Sequence, residues 1–105
     1  MNILAQAALL ALLLAPSAGA DTAPQITFAN GKADPAQLEV PAGQPVTLTV
    51  KNAGNRPIEF ESHALHVERI LAPGAELKLP LKLPAGRYPY IDDFNPGAKG
   101  VIVVK

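Results

Sequence analysis

The chain has 105 residues, with nine basic and nine acidic side chains and a formal net charge of zero at pH 7. This balance argues against nucleic acid as a partner, because nucleic-acid-binding domains carry a basic excess. The chain contains eleven prolines and eight glycines. It has no cysteine and therefore no disulfide, so the stability of a single small domain must come from a modest core.

Residues 1–20 form an apolar run that ends in Ala18-Gly19-Ala20, the small-residue pattern of a signal-peptide cleavage site. The run is too short for a comfortable transmembrane helix. Because no Lys or Arg precedes it, an uncleaved amphipathic or anchoring helix stays open as the alternative. We expect cleavage before Asp21, export to the periplasm, and one domain over residues 21–105 that does not span a membrane.

After Asp21, short apolar runs alternate with turns rich in proline and glycine, a pattern typical of an all-β sandwich. The first strands are predicted at Gln25–Ala29, Leu38–Val40 and Val46–Asn52. Asn30–Gln37 is predicted to be a turn-rich link, with Asn30-Gly31 as its strongest turn signal. In Val46–Asn52 apolar and polar residues alternate, which indicates one buried face.

The second half of the domain predicts short strands at Ile58–Ser62 and Leu65–Leu71, followed by Leu77–Leu83, where Pro80 favours an edge position or a bulge. Strands within Pro84–Ile91 and Gly100–Lys105 bring the total to about seven or eight, in an antiparallel arrangement. Tyr88 is expected either to form a tyrosine corner or to be an ordinary core residue. The predicted core comprises Phe28, Val46, Leu48, Val50, Phe60, Leu77, Leu79, Tyr88, Tyr90, Val101 and Val103.

Two segments of the sequence, around Glu59–Glu61 and Tyr88–Asp93, carry most of the residues that could bind a metal ion. The two-residue period of a strand places Glu59 and Glu61 on one face, opposite Phe60. The same period places Asp92 on the face of Tyr88 and Tyr90, which predicts that Asp92 points inward. Asp93 then faces the other way or lines the loop mouth.

Carboxylates that meet in a partly buried pocket raise one another's pKa, and a bound cation relieves that cost. Oxygen ligands suit iron, manganese or calcium, and an imidazole from His63 or His66 shifts the preference toward copper, iron or zinc. His66 shares strand parity with Glu68. Bland interpretations stay open: a solvated strand face, turn chemistry at the aspartates, or ion pairs. The basic residues available for such pairs are Arg56, Arg69 and Lys99.

The sequence from Val40 to Val104 resembles a cupredoxin domain. More narrowly, "EFES", "APG", "PAGRY" and "DDFNPGAKG" at these spacings resemble the cupredoxin-like periplasmic proteins of bacterial iron-uptake systems, similar to the cupredoxin domain of EfeO-type proteins. The resemblance implies a Greek-key β-sandwich in which the two acidic segments meet at one end. It also implies binding of iron and/or copper, and either transfer to a membrane iron permease or assistance to a periplasmic iron-binding protein in oxidising ferrous iron.

In the resemblance, Asp92 falls where a blue-copper protein has its cysteine, and Glu59 or Glu61 falls near the place of the first histidine ligand. Because the soft ligands are missing, a type 1 blue-copper site is excluded. The predicted metal ligands are Glu59, Glu61, His66, Glu68, Asp92 and Asp93. The alternative function is a metal-free interaction module that uses an edge strand or the loop end. No hydrolase or transferase motif is present, so a role in iron oxidation is the one enzymatic activity left open.

Overall fold

A computed structural model describes residues 23–105, and the predicted signal segment and its cleavage site lie outside the described residues. The described residues form nine β-strands. The strands are β1 (Gln25–Ala29), β2 (Lys32–Asp34), β3 (Gln37–Val40), β4 (Val46–Asn52), β5 (Ile58–Ser62), β6 (Val67–Leu71), β7 (Glu76–Leu81), β8 (Gly86–Asp92) and β9 (Lys99–Val104). Residues 23–105 include no helix long and apolar enough to span a lipid bilayer.

The strands form a four-stranded sheet in the order β2-β1-β4-β7 and a five-stranded sheet in the order β3-β9-β8-β5-β6. The all-β sandwich is therefore confirmed. The expectation of a wholly antiparallel arrangement was wrong, because β1 pairs with β4 and β3 pairs with β9 in parallel. Apolar-polar alternation shows which face of a strand is buried, but it carries no information about the direction of the neighbouring strand.

A strand and a hairpin were missed in the predicted link Asn30–Gln37. Asn30-Gly31 connects β1 to β2 as a two-residue turn, with Ala29 opposite Lys32. Both turn residues have positive φ, 53° and 73°, the combination that the tightest antiparallel hairpins require and that Asn-Gly supplies at low cost. The turn signal was correct, but β2 is too short and too polar to show strand periodicity.

The core lies between the sheets and centres on three rings. Phe28, Phe60 and Tyr90 are each at most 1% exposed, and their centroids lie 5.7–6.3 Å apart. Of the predicted core, Phe28, Leu48, Val50, Phe60, Leu77 and Tyr90 are buried, and Val46, Leu79 and Tyr88 are partly buried against the cluster.

The last strand has the opposite parity from the prediction. Ile102 and Val104 are buried, whereas Val101 and Val103 lie on the outer face and are partly exposed. These four residues are all apolar, and the outer face is marked only by the exposed Lys99 and Lys105 on either side of them, which share the parity of Val101 and Val103.

Candidate functional site

The strand β5 presents its carboxylates to the outside of the five-stranded sheet. Ile58, Phe60 and Ser62 are buried, while Glu59 and Glu61 between them are partly exposed. The predicted division of β5 into an inner and an outer face is therefore confirmed. In the neighbouring strand, Glu68 lies directly opposite Glu61 and Ile70 lies opposite Glu59, so Glu68 joins the same outer face.

A fourth carboxylate reaches this face from the loop between β8 and β9. The backbone N–H of Asp93 donates to the carbonyl oxygen of Glu59 at 2.8 Å, and the Asp93 side chain comes within hydrogen-bonding reach of the Glu59 carboxyl. We call Glu59, Glu61, Glu68 and Asp93 the acidic face. Like charges directly opposite each other on neighbouring strands destabilise a sheet, so this arrangement costs folding free energy when nothing neutralises it.

The electrostatic consequence is visible at Glu59. Desolvation raises the pKa of the Glu59 carboxyl above 4.5, and the charge of Glu68, the hydrogen bond and charge of Asp93, and the charge of Glu61 raise it further. Each of these causes favours the neutral carboxylic acid over the carboxylate. A cation that bound among the four groups would act in the opposite direction.

The basic residues that could have neutralised the face do not do so. Within residues 23–105, the ion pairs that involve Lys or Arg join Lys78 to Glu76 and Lys105 to Glu39, both away from the acidic face. Among the described residues, the side-chain contact found on the face joins His63 Nε2 to Glu61 Oε2 at 3.3 Å, which is an ion pair only when the imidazole is protonated. The ion-pair interpretation with Arg56, Arg69 or Lys99 is therefore not what the described residues show.

Asp92 has a different position from the other acidic residues. It is 4% exposed and lies opposite Phe60 on the inner face, so the prediction that it points inward is confirmed. Its Oδ1 accepts the backbone N–H of Glu59 at 2.9 Å and that of Phe94 at 3.0 Å. The carboxylate thereby fastens the loop after β8 to the strand that carries the acidic face.

The two histidines lie in the turn between β5 and β6, where His66 has a φ of 58°. The expectation that strand parity relates His66 to Glu68 was wrong, because β6 begins only at Val67 and a positive φ interrupts the two-residue period. The turn nevertheless brings the two imidazoles and two of the carboxylates into one shallow depression. It is lined by Glu61, Ser62, His63, His66, Val67 and Glu68.

The end of the sandwich, where the resemblance places a metal, is poor in donors. An open cavity of about 990 Å³ lies there, and Asp92 is the only carboxylate among its lining residues. Arg56 and Lys32 also line it, and positive side chains disfavour a cation. Because the chain has no cysteine, no thiolate is available for type 1 copper, and the residues present do not fit that centre.

The structure therefore separates the predicted ligands into two groups. Glu59, Glu61, Glu68 and Asp93 come together on the outer face, with His66 beside Glu61 and Glu68, while Asp92 lies beneath them on the inner face. Within the described range 23–105, no group of three or more His, Cys, Asp or Glu side chains is arranged to hold a metal ion. Ligation by these six residues stays a prediction.

One residue important to this region was missed from the sequence. Asn52 is 1% exposed, and its amide donates to the carbonyl oxygens of Arg56 at 2.7 Å and Leu71 at 3.0 Å, while its Oδ1 accepts the N–H of Gly54. Asn52 thus ties the end of β6 to the loop after β4. Its place in the turn-rich run "KNAGN" gave a signal for a turn but none for a contact with β6.

Comparison with known proteins agrees with this architecture. The sequence profile of the cupredoxin-like domain matches residues 2–104, and the chain belongs to that family. A relative of this chain is an uncharacterized protein from Rickettsia prowazekii (strain Madrid E), 37% identical over 82 residues. That match covers 76% of this chain and 66% of the relative, just under two thirds of its length.

Solved structures show the same fold. A purple cupredoxin from Nitrosopumilus maritimus superposes with a TM-score of 0.66 at 24% identity, covering 78% of this chain and 99% of that one. Reduced auracyanin from Roseiflexus castenholzii superposes with a TM-score of 0.65 at 20% identity, covering 81% and 98%. At these identities the likeness supports the cupredoxin fold alone, and the ligands of this chain must be argued from its own residues.

Proposed function

We propose that this chain is an exported cupredoxin-fold protein that binds iron or copper reversibly on its acidic face and passes the ion on during metal uptake. The observation that carries the proposal is the acidic face itself. Four carboxylates lie together there, and within residues 23–105 no Lys or Arg pairs with them. A bound cation would remove the repulsion that raises the pKa of Glu59.

The kind of donor supports iron or copper. Carboxylate oxygens are hard ligands, and the imidazoles of His63 and His66 beside Glu61 and Glu68 extend the range to copper and iron. The donors are not arranged in advance within the described residues, so they must turn toward an ion as it binds. His63, whose side chain is 93% exposed, is free to do so. Such a site holds an ion loosely, which suits transfer better than storage.

Asp92 supports this face in either of two ways. Its Oδ1 already accepts two backbone N–H groups, which makes it a positioning residue that fixes Glu59 and the adjoining loop. In that role Asp92→Asn leaves metal affinity nearly unchanged, because the amide oxygen can accept the same hydrogen bonds. If Asp92 is itself a ligand, Asp92→Asn should instead remove most of the metal affinity of the protein, because the substitution removes the negative charge.

The resemblance to iron-uptake proteins favours two destinations for the ion, a membrane iron permease or a periplasmic iron-binding protein. Assistance in oxidising ferrous iron is a related role in the same proposal. Export is part of the same proposal and rests on residues 1–20. Mass spectrometry of the protein recovered from the periplasm should give a chain that begins at Asp21. A chain that keeps Met1 and stays in the membrane fraction would contradict export as a cleaved protein.

Calorimetric titration of the exported protein with copper(II) and manganese(II), after chelation of any bound metal, tests the proposal. Glu61→Gln and Glu68→Gln should each weaken binding by about tenfold or more, as the loss of a ligand or its close partner does. Glu39→Gln is the matched control, because Glu39 is an exposed carboxylate paired with Lys105 on the far edge of the same sheet. Binding should weaken as the pH falls, since the ligands must be deprotonated.

Two results would contradict the proposal: no binding by the parent protein, or equal binding by the parent and both glutamine variants. The metal-free interaction module would then be the better function. That alternative is favoured by a specific observation, the exposure of two large apolar side chains, Ile70 and Phe94, next to the acidic face.

A further inference from the structure

The strand β6 leaves one side of its backbone open. It is the last strand of the five-stranded sheet, and among the described strands only β5 pairs with it. Along such an edge, alternate residues point their N–H and C=O groups away from the sheet, where they can pair with an extended segment of another chain. The five residues of β6, Val67–Leu71, include no proline that would block this pairing. The carbonyl oxygen of Leu71 already accepts the Asn52 amide, so the edge offered to a partner is Val67–Ile70.

Large apolar side chains are exposed beside this edge. Ile70 is 63% exposed and Phe94 is 55% exposed, and they are the large hydrophobic residues that stand out in this way within residues 23–105. Glu59 connects them. It lies opposite Ile70 in β5, and its carbonyl oxygen accepts the N–H of Asp93, the residue before Phe94. The two residues therefore lie on neighbouring segments of backbone, with Phe94 where the acidic face borders the end cavity.

The charge of the surface defines what can cover it. Glu59, Glu61, Glu68 and Asp93 make it acidic, and no Lys or Arg in the described range neutralises them. Arg69 belongs to the other side of β6, because it lies opposite Phe60 in the register. An anionic membrane or an acidic protein would be repelled, whereas Lys or Arg side chains would be attracted.

We propose that the free edge of β6 and the acidic face together form a docking surface for a protein partner that presents an extended segment of alternating basic and apolar residues. The backbone of that segment continues the sheet beyond β6. Side chains of one parity lie over the outer face, where basic groups meet Glu61 and Glu68. On that same face the aliphatic stems of the basic side chains pack on Ile70 and supply the burial that charge pairs at a surface do not. The apolar side chains of the other parity lie over the face of β6 that carries Val67 and Leu71.

Docking and metal binding would then exclude each other, a consequence that rests on the proposed function. A partner's ammonium or guanidinium groups neutralise the same carboxylates that hold the ion, so each ligand weakens the other by the same factor. Arrival of the partner would thereby release the metal where it is needed.

The test uses a blocked synthetic octapeptide of alternating lysine and valine, titrated into the metal-free exported protein in chelator at low salt. Amide chemical shifts should change along β6 and around Phe94, and amide exchange should slow in β6. An otherwise identical octapeptide with glutamate in place of lysine should not bind. A version N-methylated at alternate residues should also fail, because it cannot add a strand.

Protein variants locate the surface. Ile70→Thr keeps strand propensity while removing apolar area and should weaken the lysine peptide by about tenfold. Glu68→Gln should weaken it about two- to fivefold at low salt, with the effect shrinking as salt rises. Glu39→Gln on the opposite edge strand, β3, should leave the affinity unchanged.

The proposal is overturned if the lysine peptide does not bind at millimolar concentration, if both peptides bind equally, or if the shifts map to β3 or to the far wall of the end cavity, around Asn30, Lys32 and Arg56, in place of β6. Dimerisation of the chain through β6, measured by sedimentation, would also overturn it by making a second copy the occupant. Repeating the titration with copper(II) separates the two proposals. If copper does not bind and the peptide still does, the metal function fails while the docking surface stands.

Discussion

Asp92 and Glu59 are joined by a hydrogen bond between the side chain of one and the backbone of the other. Asp92 Oδ1 accepts the Glu59 N–H at 2.9 Å and also the Phe94 N–H at 3.0 Å, from a position that is 4% exposed. A carboxylate at the end of β8 can therefore hold the loop before β9 in place without help from a metal. The acidic residue beneath the candidate site has a structural task whatever binds above it.

Removing the Asp92 carboxylate should therefore loosen the fold more than removing its charge. Asp92→Ala leaves two backbone N–H groups without their acceptor and should cost about 2 kcal/mol or more of unfolding free energy. Asp92→Asn keeps an acceptor oxygen and should cost about 1 kcal/mol or less. Urea denaturation monitored by circular dichroism measures both values. Equal losses for the two variants would contradict the hydrogen-bonding role.

Gly100 is required by the close approach of Tyr90. A Cβ at this position would collide with the hydroxyl of Tyr90 and would lie 2.6 Å from the carbonyl oxygen of Ala36. Gly100→Ala should therefore destabilise the protein by about 1–3 kcal/mol through overpacking. Gly97→Ala is the control, because a Cβ there meets nothing nearer than Asn95 Oδ1 at 4.0 Å. Thermal denaturation of the pair should show a lower melting temperature for the first variant only.

Strand parity predicted much of this arrangement. The alternation around Phe60 correctly placed Glu59 and Glu61 on the outer face, and the parity of Tyr90 correctly placed Asp92 inside. Tyr88 proved to form a tyrosine corner, since its hydroxyl donates to the carbonyl oxygen of Pro84, four residues earlier in the chain, at 2.8 Å. In each case a polar or aromatic residue marked one face unambiguously.

Other features depend on contacts that no local pattern encodes. The parallel pairing of β1 with β4 and of β3 with β9 is set by the tertiary arrangement. The inner face of β9 was assigned wrongly because Val101, Ile102 and Val103 are all apolar and only the flanking Lys99 and Lys105 mark the outer parity. His66 adopts a positive φ that ends the regular strand before β6, so a parity argument across the turn could not hold.

The acidic face should make stability depend on pH in a defined direction. Because the pKa of Glu59 is raised above 4.5 in the folded state, the fold binds this proton more tightly than the unfolded chain does. The favourable contribution is present below pH 4.5 and is lost as the pH rises through the higher pKa of the folded state. Glu59→Gln should therefore be more stable than the parent at pH 7.

That advantage should disappear when the pH falls below 4.5, where the parent carries the proton itself. Urea midpoints measured from pH 3 to pH 8 without metal compare the two proteins. Glu39→Gln is the control, since Glu39 pairs with Lys105 at 3.3 Å and lies outside the acidic face, so its removal relieves no repulsion between carboxylates. A Glu59→Gln variant less stable than the parent at pH 7 would show that the face is not a source of repulsion.

Tyr90 should make the protein sensitive to alkali. Burial raises the pKa of the Tyr90 phenol from 10.0 to about 12, and the charge of Asp34 adds to the effect, while the hydroxyl donates to the carbonyl oxygen of Pro35 at 2.7 Å. The fold therefore holds this proton more tightly than the unfolded chain, and the resulting stability is fully present below pH 10. It is lost as the pH rises toward 12, by an amount on the order of 2 kcal/mol.

Tyr90→Phe should cost about 1 kcal/mol of unfolding free energy at neutral pH, because the Pro35 oxygen loses its donor. The same substitution should remove the alkaline loss of stability. Tyr88→Phe, which keeps Tyr90, should unfold in alkali as the parent does. In Tyr88→Phe the tyrosinate absorbance comes from Tyr90 alone, since the chain has two tyrosines. Followed together with circular dichroism, it should rise only as the sheets unfold, and a rise near pH 10 while this variant is still folded would contradict the prediction.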